Sequence, residues 1–511
     1  YFYRINLCYG TATSMRQTKS VLNSIHWYVL VVVYFVYLFI SHPLAAQTKP
    51  VEELTRYQNR EVLLRTKFKK DLLELADWCD TNQLNQEAQR LRRRFESAND
   101  TLVLNVPVLT GHRSFLPRQK YVKTTLAPWQ RKYRRIQNTL AAGLFQLAQR
   151  ARKAGYLRYA YNLILEVPDI NPNHSNARSI LGYVRYQGNW TTFYDSQQRK
   201  KGWTWDNELG WIKKKHLKQY QQGLRFYQNE WIPADQETSL RQNLDNGWEI
   251  RTEHFNIVTN HSLEAAVTLS YHLEDLFYVF QRVFSSAFIN QTALEQRLRR
   301  RANKMLPPFQ VIYFRSRQDY LTHPDLRSAL GDKLAFSSGA YLPHLQTSFF
   351  YYAPESDNTS VLHEATHQLF SESYNLQSLI AVESHFWLVE GIACYMESLH
   401  RTKNALLLGG SHQPRFQDAR NCTLNEHFQI PLRELSGWGI ESFQNAENLV
   451  SLYSQATGLT YFLMHYQSGR YRSHLLACLR DIYAKQNTTQ SLEHHTQVSY
   501  EDLDQQYRHF L

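Results

Sequence analysis

The sequence predicts an α+β protein in two unlike parts: an all-α set of helical hairpins, then a mixed half whose strands lead into two helices bearing ionisable residues. Three observations predict it. Apolar residues recur at helical spacing through much of the first half, as in Ile136, Leu140, Leu144, Leu147 and Ala151, the period of a helix with one buried face. From Trp248 the pattern turns to alternation, in Trp248 and Ile250, in Phe255 and Ile257, and in Phe309-Gln-Val-Ile-Tyr-Phe314, the period of a strand. Charge divides near the same place: residues 49–220 carry 32 Lys/Arg against 15 Asp/Glu, and 221–511 carry 23 against 30. At 511 residues, 43% hydrophobic, the chain is long for one domain and apolar enough to bury large cores.

The elements follow in order. Arg16 and Lys19 precede an apolar run, Trp27–Ile40, and then His-Pro-Leu-Ala-Ala-Gln over 42–47. A basic start, a short apolar stretch and a small-residue site after Ala46 predict a signal peptide over 1–46. The run is shorter than the ~20 residues a spanning helix needs, so the expectation is a cleaved, exported chain (periplasm or outside), with an uncleaved membrane anchor as the alternative. The first methionine is Met15, and residues 1–14 read as an upstream extension. Of the cysteines beyond Ala46, Cys79, Cys394, Cys422 and Cys478, no two form a C-x-x-C pair. Thiolate zinc sites and thioredoxin-like chemistry therefore have no foothold. An oxidising compartment would join Cys422 to Cys478 first, but four buried thiols are the favoured expectation.

Residues 47–220 form the expected basic helical domain. Two helices occupy 50–100, with Leu72, Leu75 and Ala76 on one face and Leu84, Ala88 and Leu91 on the next. Pro107, Gly111 and Pro117 mark 101–126 as a loop. After the helix of Ile136–Ala151, another begins at Tyr156 and stops at Pro168, and a third starts with Asn173 as its cap. Helix pairs ending in Pro suggest tetratricopeptide-like hairpins, without a clean 34-residue period. Trp190, Trp203, Trp205 and Trp211 read as a packed connector, with carbohydrate stacking as the functional alternative. Residues 221–247 read as a linker. The basic runs Arg92-Arg93-Arg94, Arg131-Lys132-x-Arg134-Arg135 and Lys213-Lys214-Lys215 are expected to be solvated faces. An exported chain seldom meets nucleic acid, so no nucleic acid partner is expected; weak attraction to anionic envelope surfaces is.

From 248 come a strand pair through Ile250 and Val258, a helix capped by Ser262 with Leu263, Ala266, Leu273, Phe277 and Phe284 inward, and strands at 309–314 and 347–352. Residues 361–370 then read Val-Leu-His363-Glu364-Ala-Thr-His367-Gln-Leu-Phe. Positions i and i+4 share a helix face, so both imidazoles can reach one zinc ion, with Glu364 placed to take a proton from its water. From Ser360 to Phe370 nothing outside the motif is charged, as a buried helix requires. Two His leave a catalytic zinc one protein ligand short. Glu390 lies in the apolar stretch Trp-Leu-Val-Glu-Gly-Ile-Ala, 23 positions beyond His367, where only a strong neutralising partner such as a dication makes an ionised carboxylate tolerable. His254, His385 and His400 pair with no other His at ligand spacing and are expected in surface or core roles.

The sequence from Trp387 through Glu390-Gly391, Ala393 and Tyr395 to Glu397 resembles the second helix of gluzincin metallopeptidases. It looks closest to an uncharacterised family of secreted bacterial proteins with a peptidase-like domain of that clan. The resemblance covers roughly 248–511. It implies a zincin domain with a small sheet, an edge strand at 347–352 and a C-terminal helical subdomain. It implies His363, His367 and Glu390 as ligands of one Zn2+ and Glu364 as general base. Thermolysin-like relatives place an acid four residues after the third ligand; here that position is Cys394, so support for a ligand His must come from elsewhere, with Glu397 the candidate. Related enzymes stabilise the oxyanion with a Tyr or His from a later helix, which points to Tyr453, with Tyr461 and His465 behind it. Nothing adjacent would lower the pKa of Cys394 enough to make it a nucleophile.

The expected function is therefore an exported zinc peptidase acting on peptides or proteins. The alternative is a zinc-containing, catalytically weak envelope adaptor that works through its helical half. An intact Glu364 favours the enzyme, because a purely structural site has no need of a base.

Overall fold

The computed structural model describes residues 51–94, 102–111, 127–289, 291–299, 307–354, 358–403 and 405–511. The expected signal peptide lies outside them. Among the described residues no helix is long and apolar enough to cross a membrane. Contacts divide the chain after Arg60 into two units. The second unit, Glu61–Leu511, is α+β, largely helical with small sheets.

Helices α1 (Val51–Thr81) and α2 (Asn85–Arg93) bury Leu72, Leu75, Ala76 and Cys79 against Ala88 and Leu91, the residues that helical spacing picks out. The expected loop at 101–126 is corrected in part: Val103–Pro107 is a strand, β1. Helix α3 (Pro128–Lys153) buries Leu140, Leu144, Leu147 and Ala151. Helix α4 (Leu157–Ile170) runs through Pro168 instead of stopping there; so close to the C-terminal end, the missing N–H costs little more than a fraying turn. The cap of α5 (Ser175–Ile180) is His174, whose Nδ1 accepts from Ala177 N at 3.3 Å, and not Asn173.

The run of helices ends there. Residues 182–240, expected as connector and linker, fold as three copies of one unit, a β-hairpin followed by a helix. The hairpins are β2 (Tyr183–Tyr186) with β3 (Asn189–Thr192), β4 (Trp203–Asp206) with β5 (Gly210–Lys213), and β6 (Leu224–Tyr227) with β7 (Glu230–Pro233). Their helices are α6 (Phe193–Lys200), α7 (Leu217–Gln221) and α8 (Ala234–Leu240). The copies share one hydrogen bond: the carbonyl of Gly182, Gly202 or Gly223 accepts from the N–H of Phe193, Lys214 or Ala234, at 3.2, 3.0 and 3.0 Å. The linker expectation for 221–247 is thereby corrected. Three short hairpins of this kind bury apolar faces only against neighbours, and here they rest on the mixed half: Trp205 Nε1 donates to Tyr271 at 3.1 Å, and Tyr194 to the carbonyl of Arg251 at 3.1 Å.

The mixed half is built on a five-stranded sheet ordered β11–β12–β10–β9–β8, where β8 is Trp248–Arg251, β9 Phe255–Thr259, β10 Phe309–Phe314, β11 Ala340–Leu342 and β12 Thr347–Tyr351. Strand β10 pairs in parallel with β9 and β12, while β8 and β11 run antiparallel to their neighbours. Helix α9 (Leu263–Val283) lies across it, capped by Ser262 accepting from Ala265 N at 3.1 Å. A further sheet, β1–β14–β13, joins Val103–Pro107 antiparallel to β14 (Ala405–Gly409), with the short β13 (His400–Arg401) on its other side. The helical half is thus stitched into the mixed half. Cys79, Cys394, Cys422 and Cys478 are all buried free thiols, so the Cys422–Cys478 disulfide is not formed.

Candidate metal centre

Two helices carry the motif residues: α10 (Thr359–Ser373) and α11 (Phe386–Met396). Helix α10 buries Val361, Leu362, Ala365, Leu369 and Phe370, which turns His363, Glu364 and His367 towards a common side. Every residue of α11 is buried, Glu390 at 6% exposure among them. Its approach to α12 (Leu449–Gly469) depends on Gly391: an added Cβ would lie 2.5 Å from both the Ala456 carbonyl oxygen and Thr460 Oγ1.

The three expected ligands converge. His363 Nε2 and His367 Nε2 are 3.1 Å apart, and they lie 3.3 Å and 3.6 Å from the Glu390 carboxylate oxygens. Four-coordinate ligands at 2.0–2.1 Å from a zinc ion sit about 3.3 Å from one another. The donor set therefore fits such an ion without rearrangement, and two imidazole nitrogens aimed at each other beside a carboxylate have little other reason to meet.

The far side of His363 shows how that ring is held. Its Nδ1 donates to Glu397 Oε1 at 2.9 Å, and Arg415 grips the same carboxylate through Nε at 2.8 Å and Nη2 at 3.1 Å. With Nδ1 engaged by Glu397, Nε2 is the nitrogen that faces His367 and Glu390. Seven residues are two helical turns, so Glu397 returns to within about 20° of the face that carries Glu390. Cys394 Sγ stands 3.9 Å from the same Nδ1. His363, Cys394 and Glu397 also bring potential ligand atoms within 4.8 Å of one another, but the Arg415 charge on Glu397 opposes a cation there. Burial raises the Cys394 thiol, which keeps it protonated and unreactive.

Electrostatics separate the two glutamates. Burial raises Glu364 to about 7, with the His363 charge working against the shift. Burial also pushes Glu390 upward, but the neighbouring His367 imidazole and the hydrogen bond with His363 outweigh it and leave that group below its ordinary value. His367 is driven down to about 4 by burial, so it stays an unprotonated nitrogen. For His363, burial is outweighed by hydrogen bonds to Cys394, Glu390 and Glu397, and its pKa lies well above the usual range. The backbone N–H of Tyr341 donates to Glu364 Oε2 at 3.0 Å, pinning one carboxylate oxygen.

That contact corrects the edge-strand expectation. Strand β12, at 347–351, pairs on both sides, with β10 and β11; the edge is β11, Ala340–Leu342. Local pattern cannot distinguish the two, because both strands are apolar and order in a sheet is set by distant pairing.

Tyr453 comes close to the centre: its hydroxyl helps to lower the pKa of Glu390, and burial, with the Glu390 charge, raises its own pKa strongly. Tyr461 and His465 do not. They lie 8 and 12 residues further along α12, roughly 12 and 18 Å along the axis. Tyr461 packs on Tyr395 with ring centroids 4.9 Å apart, and His465 Nε2 meets the Tyr395 hydroxyl at 2.9 Å. His254, His385 and His400 are all held elsewhere, by Glu274 at 2.7 Å, the Thr488 carbonyl at 2.8 Å and the Ser398 carbonyl at 3.2 Å. Arg415 is the residue that sequence reasoning missed; nothing in its local pattern marks it.

Comparison with protein-family models, with curated proteins and with solved structures finds no match to this chain.

Proposed function

We propose that this chain is an exported zinc peptidase of the gluzincin type, hydrolysing amide bonds of peptides or proteins. The carrying observation is the triangle of His363 Nε2, His367 Nε2 and Glu390 at 3.1, 3.3 and 3.6 Å with Glu364 beside it. Zinc held there supplies an acidified water, with a pKa lowered to ~7, and polarisation of the substrate carbonyl.

The chain's own residues supply the rest. Glu364, pinned through Oε2 by Tyr341, takes the water proton on Oε1 and returns it to the leaving nitrogen. A pKa raised to about 7 by burial suits a group that must both accept and release a proton near neutrality. Tyr453 turns its hydroxyl from Glu390 to the developing oxyanion. An extended peptide adds along the edge of β11, whose other side pairs with β12. The fold that goes with this reading is a zincin domain over 248–511, preceded by tetratricopeptide-like helical hairpins.

The adaptor reading keeps the zinc and moves the work to the N-terminal half, where the three hairpin repeats offer a surface. Glu364→Gln separates them. As a peptidase, the variant keeps its zinc and its melting temperature but loses hydrolysis of a peptide library by about 10²–10⁴-fold. Equal inertness of both proteins across the library would favour the adaptor.

A further inference from the structure

The hairpin repeats hold a feature that peptide hydrolysis does not use. A cavity of about 340 Å³ lies where the second and third repeats meet β8, the sheet edge opposite β11. Four strand spacings, roughly 19 Å, separate β8 from β11. The cavity is within the size range of small-molecule pockets, ~300–1,000 Å³.

Its walls are aromatic: Trp203 and Trp211 from the second hairpin, Phe226 from the third, and Trp248 from β8. Tyr194 and Trp211 meet edge to face at 71°, which gives inclined walls and not the parallel slot a flat aromatic ligand needs. The polar groups carry a surplus of donors. Glu237, 5% exposed, is already bound by Arg241 Nε at 2.8 Å. Arg225 comes no closer than 3.9 Å to Glu237 and 3.7 Å to Glu264, and its hydrogen bonds go to the backbone carbonyls of Leu224 and Tyr220. A guanidinium 13% exposed at its side chain with no hydrogen-bonded carboxylate is costly unless an anion joins it. Trp248 is 6% exposed, and its indole N–H has no acceptor, a further unmet donor at the wall. Arg251 adds a third guanidinium, against Glu249.

We propose that this cavity binds an acidic sugar, a pyranose ring bearing a carboxylate. The carboxylate pairs with Arg225, ring hydroxyls accept from the Trp248 N–H, and the puckered C–H faces lie on the inclined aromatic walls. A neutral sugar would leave Arg225 without a hydrogen-bonded carboxylate, and a bare carboxylate would not use the aromatic walls. The site stands independently of the peptidase reading.

Calorimetric titration of the full chain with glucuronate, glucose and acetate tests it. Glucuronate should bind at least about tenfold more tightly than either control, a difference of ~1.4 kcal/mol. Arg225→Gln should abolish the preference over glucose. Trp203→Leu, on a half-buried wall position, should weaken glucuronate while the melting curve stays put, and it serves if Arg225→Gln does not fold. No heat with glucuronate up to roughly 10 mM, about tenfold above a Kd of 1 mM, would overturn the proposal. So would equal binding of glucose or acetate, or unchanged affinity in a folded Trp203→Leu protein.

Discussion

Glu397 accepts a hydrogen bond from Nδ1 of His363 at 2.9 Å, from a position two turns beyond Glu390. In the proposed centre the carboxylate that would orient a ligand imidazole thus stands one turn beyond Cys394, and Arg415 fixes it there at 2.8 Å. Groups of this kind are worth about 10–100-fold in metal affinity. Glu397→Ala should lower zinc affinity by that factor, measured by competition with a chromogenic chelator. Unchanged affinity would show that His363 is oriented by packing alone.

The ligands themselves should behave differently from their support. Wild-type protein should carry about one zinc per chain, since two His and one Glu make one site. His363→Ala, His367→Ala and Glu390→Gln should each lose stoichiometric metal by mass spectrometry. Retention by both His variants would remove the centre from consideration.

For Tyr453, the influence of its hydroxyl on Glu390 places it beside the proposed centre. Tyr453→Phe should lower kcat by about 10²–10³ with little change in KM, because an oxyanion donor acts mainly in the transition state. If the Tyr is only core, the variant loses melting temperature while turnover per bound zinc is kept.

A pH prediction attaches to Glu372, on α10 one turn past Gln368, which donates to it at 2.8 Å. Burial raises its pKa from 4.5 to about 7. Below 4.5 it is protonated in both folded and unfolded chains and costs nothing. As pH rises through the window from 4.5 to about 7, the unfolded chain releases the proton first, and the folded state loses stability relative to it. Glu372→Gln should therefore melt close to wild type at pH 4.5 and above it at pH 8. A gap that stays constant with pH would refute the shift.

Much of this was legible in the residues. Leu72, Leu75 and Ala76, the α3 stripe and the Ser262 cap report on local geometry, and local geometry fixed them. His363, Glu364 and His367 declare their shared face through i,i+4 spacing alone, and Glu390 through its apolar setting. What escaped depends on distant partners. Strand β11 has only three residues, and its place at the edge is decided by pairing with β12. The repeats did leave a signal: Trp190, Trp211 and Trp231 are spaced by 21 and 20, and Gly182, Gly202 and Gly223 by 20 and 21. Each strand has four residues, too few for alternation to register, and the period becomes visible only when the three stretches are aligned on their glycines.

Strand β1 sets a timetable for synthesis. Its partner in β14 lies roughly 300 positions downstream, so at ~5–20 residues per second the two emerge roughly 15–60 s apart. For that interval Leu104 and Val106 have no ladder to join, and a nascent chain must keep an apolar segment from pairing with a neighbour's. The charged helices on either side of β1 stand where gatekeepers would be needed. A gene fragment that begins at Trp248 would end this wait, at the cost of leaving β14 as a bare edge.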